Sequence, residues 1–527
     1  MKKLLLIISS AVMLFAGCGN ADDKSKGGTG ENAGDASLVE TLPITGSFIN
    51  LAYQDVRNKY TNPPYMDNTD PGMWMEKVAE MKEMGMEHLV FMAVANEGLA
   101  FYPSRLMHWA YPTWRMSPVD AIMNAAAANG IKVFMSTGWA KDQDDNLRDP
   151  KIKGRQIEMM EELSLIYGKH PAFYGWYLPV EDCLGPVLTD YAVEAVNALT
   201  ARARELTPNA KILISPYGIF NSDFDDPRYE QQLSRLNVDI IAYQDEVGCV
   251  RERYPLPRLR ENWKKLRAIH DKTGVEMWAN CESFAWEKGT NDRSSALIPA
   301  PYSRLLAQQA AATAGGAERI ISFMMCGIYE KPDSPYQLGQ PHWSGEAYED
   351  YMAWKADDRY WKLAEAAFTG SLKSGNSWMA WNPQDFGQGR SIVIRDGKTA
   401  QEDAADKRWA PYQPGVNDII IDLIQPTQIS EVMVRMLNSA KDGIALPVKM
   451  YLSASVDGQS WNLMQIKEAS GFPNTNHDAF AECVLFDDFK LLKVGENEVK
   501  PTALKLTFMC EGKVMIDEIF INPVMAE

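Results

Sequence analysis

The chain has 527 residues, 46% hydrophobic and 10% aromatic, enough apolar side chain to build large cores in two or three domains and to exclude a fibrous or disordered protein. Its 70 acidic against 53 basic residues give a net charge of −17 with no dense Lys/Arg run, which argues against nucleic acid or an anionic lipid surface as a partner. Six scattered histidines without H-E-x-x-H or His-x-His, and cysteines without a C-x-x-C pair, signal neither a ligated metal nor a disulfide framework. A bridge between Cys483 and Cys510 is left open, G-x-S-x-G is absent, and no cofactor is expected.

In chain order, Met1-Lys-Lys-Leu-Leu-Leu-Ile-Ile begins a short basic start and an apolar stretch too brief for a comfortable transmembrane helix, ending on small residues before Cys18. That pattern predicts an export signal over residues 1–17. Ala16-Gly17-Cys18 resembles a bacterial lipoprotein box, which implies cleavage before Cys18 and lipidation of its sulfur; a plain secretory signal is the alternative. Asp22-Asp23 resembles the acidic tag that directs some Gram-negative lipoproteins to the outer cell face, with a periplasm-facing anchor as the alternative, and the stretch up to residue 43 reads as a flexible tether.

From residue 44 to about 330, eight apolar runs alternate with helical segments: 44–50, 88–95, 131–139, 172–178, 211–217, 238–244, 276–282 and 319–325. Ser117-Pro118-Val-Asp120 offers a cap, a proline at the first helical position and an acid in the first turn, and Asp70-Pro71 opens another helix. Gly85, Gly130 and Gly274 each leave a helix just before a strand. Runs that are continuously apolar suit parallel strands buried on both faces, so the spacing predicts a (β/α)8 barrel over residues 44–368, with its site at the C-terminal strand ends.

Glu181 follows the fourth strand and Glu282 ends the seventh, so both carboxylates are expected at that mouth. Trp139, Tyr177, Tyr217, Tyr243, Gln244, Asp245, Glu246, Asn280, Phe284, Trp286 and Tyr329 are expected around them, aromatic faces and hydrogen-bonding groups that suit sugar rings. Strand alternation should point Asp182 and Glu246 away from the neighbouring Glu181 and Asp245, which makes both structural, and Trp176 reads as core. Arg148 and His108 lie on mouth loops, where a sugar hydroxyl or plain solvent would suit each.

Two facing carboxylates are what glycoside hydrolysis needs, and the placement resembles the retaining barrel glycosidases. That resemblance implies Glu181 as acid/base, Glu282 as nucleophile and Tyr243 as support for the nucleophile; Val180 stands where those enzymes usually carry Asn. Gly175-Trp-Tyr-Leu-Pro-Val-Glu181, Tyr243-Gln-Asp-Glu-Val-Gly248 and Ala279-Asn-Cys-Glu-Ser-Phe284 more closely resemble an uncharacterised glycosidase-type barrel family of bacterial surface lipoproteins. The resemblance implies an oligosaccharide or polysaccharide substrate, and a glycan-binding lipoprotein without catalysis is the alternative.

After a closing helix from Ser344 through Phe368, Thr369 to Ser377 reads as a linker. Short runs at 418–423, 431–435, 448–453, 503–508 and 517–521 then predict a β-sandwich over residues 375–527. Asp396-Gly397, Trp409, Ile421-Asp422-Leu423, Ser453-Ala-Ser-Val-Asp-Gly-Gln-Ser-Trp461 and Asp517-Glu-Ile519 resemble the discoidin, or coagulation factor 5/8 type C, jelly roll, a galactose-binding-like domain that implies an accessory carbohydrate-binding role. Asp457-Gly458 is expected to make a hairpin turn and Trp461 to fill the core.

Overall fold

The computed structural model describes residues 41–51, 70–111, 115–142, 145–248, 256–286, 297–300, 302–338, 343–356, 370–374, 377–378, 400–406, 408–423, 426–468 and 479–522. The expected signal peptide, Cys18 and most of the tether lie outside these residues, as do 357–368 of the expected closing helix and Asp396-Gly397.

Eight parallel strands close into a barrel. They are β1 (Ile44–Asn50), β2 (His88–Ala93), β3 (Lys132–Ser136), β4 (Phe173–Tyr177), β5 (Lys211–Ile214), β6 (Ile240–Gln244), β7 (Glu276–Glu282) and β8 (Arg319–Phe323). Each pairs with the next in sequence, and β1 closes on β8. The helices are α1 (Pro71–Glu83), α2 (Pro118–Ala128), α3 (Pro150–Tyr167), α4 (Asp190–Leu206), α5 (Pro227–Leu233), α6 (Leu256–Thr273), α7 (Tyr302–Ala314) and α8 (Trp343–Ala356). Their punctuation is local. Asp70, Ser117, Asp149 and Asp226 each cap a helix that opens with proline, accepting a first-turn amide that would otherwise lack an intrahelical partner. The expected runs overshoot at several C-terminal ends, because apolar residues such as Trp139 and Leu178 continue past the paired strand into mouth loops.

The barrel interior is packed with side chains of alternating parity. At the lower level the Trp278 ring lies 5.3 Å from His88 and 6.0 Å from Phe134, with Tyr174 5.2 Å from Phe134. Burial foremost, helped by the nearby Arg319 and Lys132 charges, pushes the His88 imidazole down to about 4, so it is neutral in this layer. Two residues along β7, the Asn280 side chain donates to Ser215 Oγ at 3.1 Å. Two further along comes Glu282, so strict alternation delivers its side chain inward at the mouth.

The C-terminal region forms two main antiparallel sheets. One runs in the order β10 (Ser377–Trp378), β9 (Gly370–Ser374), β12 (Gly415–Asp422), β17 (Ala503–Cys510), β14 (Lys449–Ser455), β15 (Asn462–Glu468). The other runs β11 (Ala410–Tyr412), β18 (Val514–Ile521), β13 (Val432–Asn438), β16 (Phe480–Phe486). Two expectations are corrected here. The stretch read as a linker contributes β9, paired with β12 over Gly370 to Ser374, because backbone amides are satisfied in the ladder whatever the polarity of the side chains. Trp461 is only half-buried, with the Lys505 ammonium 5.0 Å from its ring, while Trp409 is fully buried. Asp457 does make the expected turn between β14 and β15, accepting from the amides of Gln459 at 2.8 Å and Ser460 at 2.7 Å. Cys483 and Cys510 are free thiols.

Candidate active site

Glu282 is held from three directions. Its amide donates to Asp245 Oδ1 at 3.1 Å, and its carbonyl accepts from Gln308 Nε2 of α7 at 3.1 Å. Its carboxylate Oε2 accepts from the Gly248 amide at 2.7 Å. Gln308 also donates to Asp245 Oδ2 at 2.7 Å, so the helix fixes the carboxylate that fixes the strand end. Glycine at 248 is what permits the approach: a Cβ there would stand 2.9 Å from Glu282 Oε2 and 2.6 Å from Phe284 O. Glu282 is 4% exposed.

Glu181 is half-buried on the loop after β4, and Gln244 at the end of β6 donates toward its Oε1 at 3.4 Å and to the Ser215 carbonyl at 2.9 Å. It lines a small cavity with Trp139, Pro179, Val180 and Tyr191. Trp139 is buried and donates from Nε1 to the Pro179 carbonyl at 3.2 Å. Tyr177 is buried against Phe48, ring centroids 5.3 Å apart, and burial, with the Glu181 charge, pushes its hydroxyl well above the usual range. Tyr217 is 38% exposed, the most open of the expected binding residues whose side chains are described. Burial raises its hydroxyl, and Cys183, Glu181, Asp182 and Glu246 add to the shift.

The structure separates the rest of the expected lining into wall, floor and loop. Tyr243 is corrected: it is fully buried on the helix side of β6, its hydroxyl 2.5 Å from Tyr229 Oη and 2.7 Å from His270 Nε2. Alternation is the reason, since its neighbour Gln244 takes the inward direction. Asp245 is likewise fully buried and acts on Glu282 and not on solvent. Asn280 is 1% exposed below Glu282, and Tyr329 is 3% exposed with its hydroxyl donating to the Ala300 carbonyl at 2.7 Å. Phe284 is buried, and the side chain of Trp286 lies outside the described residues. Asp182 turns away, accepting from Thr189 N at 2.7 Å and Thr189 Oγ1 at 3.1 Å at the start of α4. Arg148 pairs with Glu194 at 3.1 Å, and His108 is exposed.

Two contributors escaped sequence reasoning. Gly248 reads as an ordinary turn glycine, and Gln308 sits in an Ala-rich helix, where adjacent glutamines at 308 and 309 were the only sign of buried polar work. Glu246, read as structural from the sequence, is 7% exposed, with Oε2 accepting from Gly218 N at 2.7 Å and a left-handed φ of 55°. Burial, reinforced by Asp245, pushes its carboxyl up to about 7 against the lowering effect of the Gly218 and Ile219 amides. Among the described residues no group of His, Cys, Asp or Glu is arranged to hold a metal ion, and no helix is long and apolar enough to cross a membrane.

Comparison with known proteins adds a family and a set of likenesses. A family model described as a domain of unknown function (DUF4434) matches residues 44–336. No curated protein matches. Among solved structures, a Bacteroides thetaiotaomicron protein assigned as an alpha-L-fucosidase is 19% identical, covering 63% of this chain and 99% of its own, with a TM-score of 0.48. A glycoside hydrolase family 5 protein from Bacteroides vulgatus is 11% identical, with 89% of each chain covered and a TM-score of 0.38. An intracellular xylanase from Thermoanaerobacterium saccharolyticum is 15% identical, covering 55% of this chain and 87% of its own, with a TM-score of 0.34.

Proposed function

The chain belongs to the DUF4434 family, and we propose that its barrel is a glycoside hydrolase working through Glu181 and Glu282. The observation that carries this reading is the end of β6. Within residues 244–248, Gln244 bonds the Glu181 carboxylate, Gly248 bonds the Glu282 carboxylate and Asp245 holds the Glu282 backbone amide, which ties the ends of β4 and β7 to one mouth. A carboxylate whose backbone and one oxygen are fixed, beside a second carried on a looser loop, suits a division between nucleophile and proton donor.

In the retaining sequence of steps, Glu282 attacks the anomeric carbon while the bond from that carbon to the leaving oxygen breaks. The Glu181 carboxyl gives its proton to the leaving oxygen. Glu181, now a carboxylate, then takes a proton from water as the water oxygen attacks the same carbon and frees Glu282. Gln244 orients Glu181, and the Gly248 amide aims Glu282. Lipidation at Cys18 would hold the enzyme at the outer membrane, facing the cell exterior, and the C-terminal sheets would serve as a discoidin-like glycan-binding accessory.

The test is kinetic. Glu282→Gln should lower kcat by about three orders of magnitude or more on every glycoside the parent hydrolyses, while Glu181→Gln should be partly spared on aryl glycosides whose leaving group needs little protonation. Wild-type rates in both variants would remove the assignment. Glycan binding by a parent that hydrolyses nothing on a broad panel would favour the non-catalytic alternative.

A further inference from the structure

Tyr217 stands out at the mouth because an exposed ring is mounted on a backbone with almost no freedom. Its amide donates to the Asp182 carbonyl at 3.1 Å and its carbonyl accepts from Leu184 N at 2.8 Å, so residues 182–184 and 217 form a short bridge beyond the barrel strands. The next residue, Gly218, has φ +87°, and a Cβ there would stand 2.7 Å from Cys183 Sγ and 2.8 Å from Leu184 N. The neighbouring end of β6 also ties this turn, Gly218 N donating to Glu246 Oε2 and Gln244 N to the Pro216 carbonyl at 3.1 Å, and Asn262 Nδ2 of α6 donates to the Ile219 carbonyl at 2.9 Å. Glu246 reaches it from a left-handed backbone position that a residue with a side chain occupies at a cost, and it buries a carboxylate to do so. Strain and buried charge at one position, both serving the turn under one exposed aromatic ring, call for a reason beyond loop packing.

We propose that Glu246 is a positioning residue that locks Tyr217 as a platform for the leaving-group side of the glycoside, so that the preferred substrate carries a ring there. This rests on the assignment of Glu181 as proton donor. Glu181 must sit by the bond that breaks on the leaving side, and Tyr217 lies within electrostatic reach of that carboxylate and is reached through the same β4 loop. A flat face held rigidly there binds the C–H face of a sugar or aryl ring without paying for its own ordering, whereas the same ring on a loose turn would. Burial at the turn raises the Glu246 carboxyl, while the Gly218 and Ile219 amides that it accepts from work in the other direction.

The test compares Glu246→Ala, Glu246→Gln and Tyr217→Ala in two assays. In the first, disaccharides from a neutral panel are titrated by calorimetry into the three variants and wild type, all carrying Glu282→Gln so that nothing turns over. In the second, the single variants hydrolyse paired 4-nitrophenyl glycosides and glycosyl fluorides of the same sugar. Glu246→Ala and Tyr217→Ala should each weaken disaccharide binding about tenfold. Their loss of kcat/KM, carried mainly by KM, should be at least about fivefold greater on the nitrophenyl glycoside, which has a ring to stack, than on the fluoride, which has none. Glu246→Gln keeps an acceptor for Gly218 and should restore binding to near wild type. Equal losses on both substrates, wild-type disaccharide binding by Glu246→Ala, or failure of Gln to rescue would overturn the proposal. If wild type hydrolyses neither substrate, the catalytic reading fails, and the calorimetry still decides whether Glu246 governs the Tyr217 platform; binding of no disaccharide at all counts against both.

Discussion

At the scale of single residues, the mouth is organised by hydrogen bonds whose donors and acceptors are mostly not the ones a sequence advertises. Asp245 was expected to meet substrate, yet it is sealed behind Glu282, because a carboxylate with a backbone amide at 3.1 Å and a glutamine amide at 2.7 Å is already committed. Glu246 was expected to be structural, and its bond to Gly218 agrees with that while giving it a consequence for Tyr217. Its carboxyl yields a pH prediction. With a folded value of about 7 against an ordinary 4.5, the folded state keeps its proton longer than the unfolded chain does. The associated stability is therefore fully present below pH 4.5 and is lost as pH rises through 7. Glu246→Gln cannot ionise, so its stability relative to wild type should improve by about 3 kcal/mol between pH 4.5 and pH 8, as measured by chemical denaturation. A difference that stays flat with pH would show that the carboxylate is not penalised in the fold.

At the scale of elements, all eight barrel strands and the caps at Asp70 and Ser117 were legible, because continuous apolar runs, three of them preceded by a glycine exit, follow from burial on both faces. Direction within a strand was less legible. Tyr243 and Gln244 are adjacent and chemically suited to the same site, and only the register of β6 decides that Gln244 faces Glu181 while Tyr243 faces His270. The sheet boundary at Gly370 was hidden for another reason: glycine, serine and lysine look like a linker, but the ladder to β12 uses only their backbone. Strand contact also sets a limit on substitution. A Cβ at Gly175 in β4 would fall 2.2 Å from the Lys211 carbonyl oxygen and 2.9 Å from its carbon, both backbone atoms of β5 that cannot rotate aside. Gly175→Ala should therefore destabilise the barrel by about 1–3 kcal/mol or more, read as an earlier denaturant midpoint. An unchanged midpoint would mean that β4 and β5 pack more loosely than their register indicates.

At the scale of the whole molecule, the described apolar residues fall into separate cores, with the barrel cluster ending at Trp354 and the sandwich clusters starting at Ala400. The two regions touch through Arg260 of α6, donating to the Leu423 carbonyl at 3.0 Å, and through Arg408 and Glu346 at 3.2 Å. Each such polar contact is worth about 1 kcal/mol, far less than a domain core. A chain ending after Ala356 should thus fold cooperatively and keep the hydrolytic activity proposed for the parent, with a modest loss in Tm; aggregation or a molten barrel would make the sandwich an integral brace. The account as a whole stands on Glu282 as the group that bonds to the sugar. The most direct measurement is intact and peptide mass spectrometry after incubation with 2-deoxy-2-fluoro glycosides bearing a good leaving group, chosen from the sugars the protein hydrolyses. A single fluoroglycosyl adduct on the peptide containing Glu282, absent from Glu282→Gln, is the predicted result. An adduct on Glu181 or Asp245, or turnover with inversion and no adduct, would contradict it.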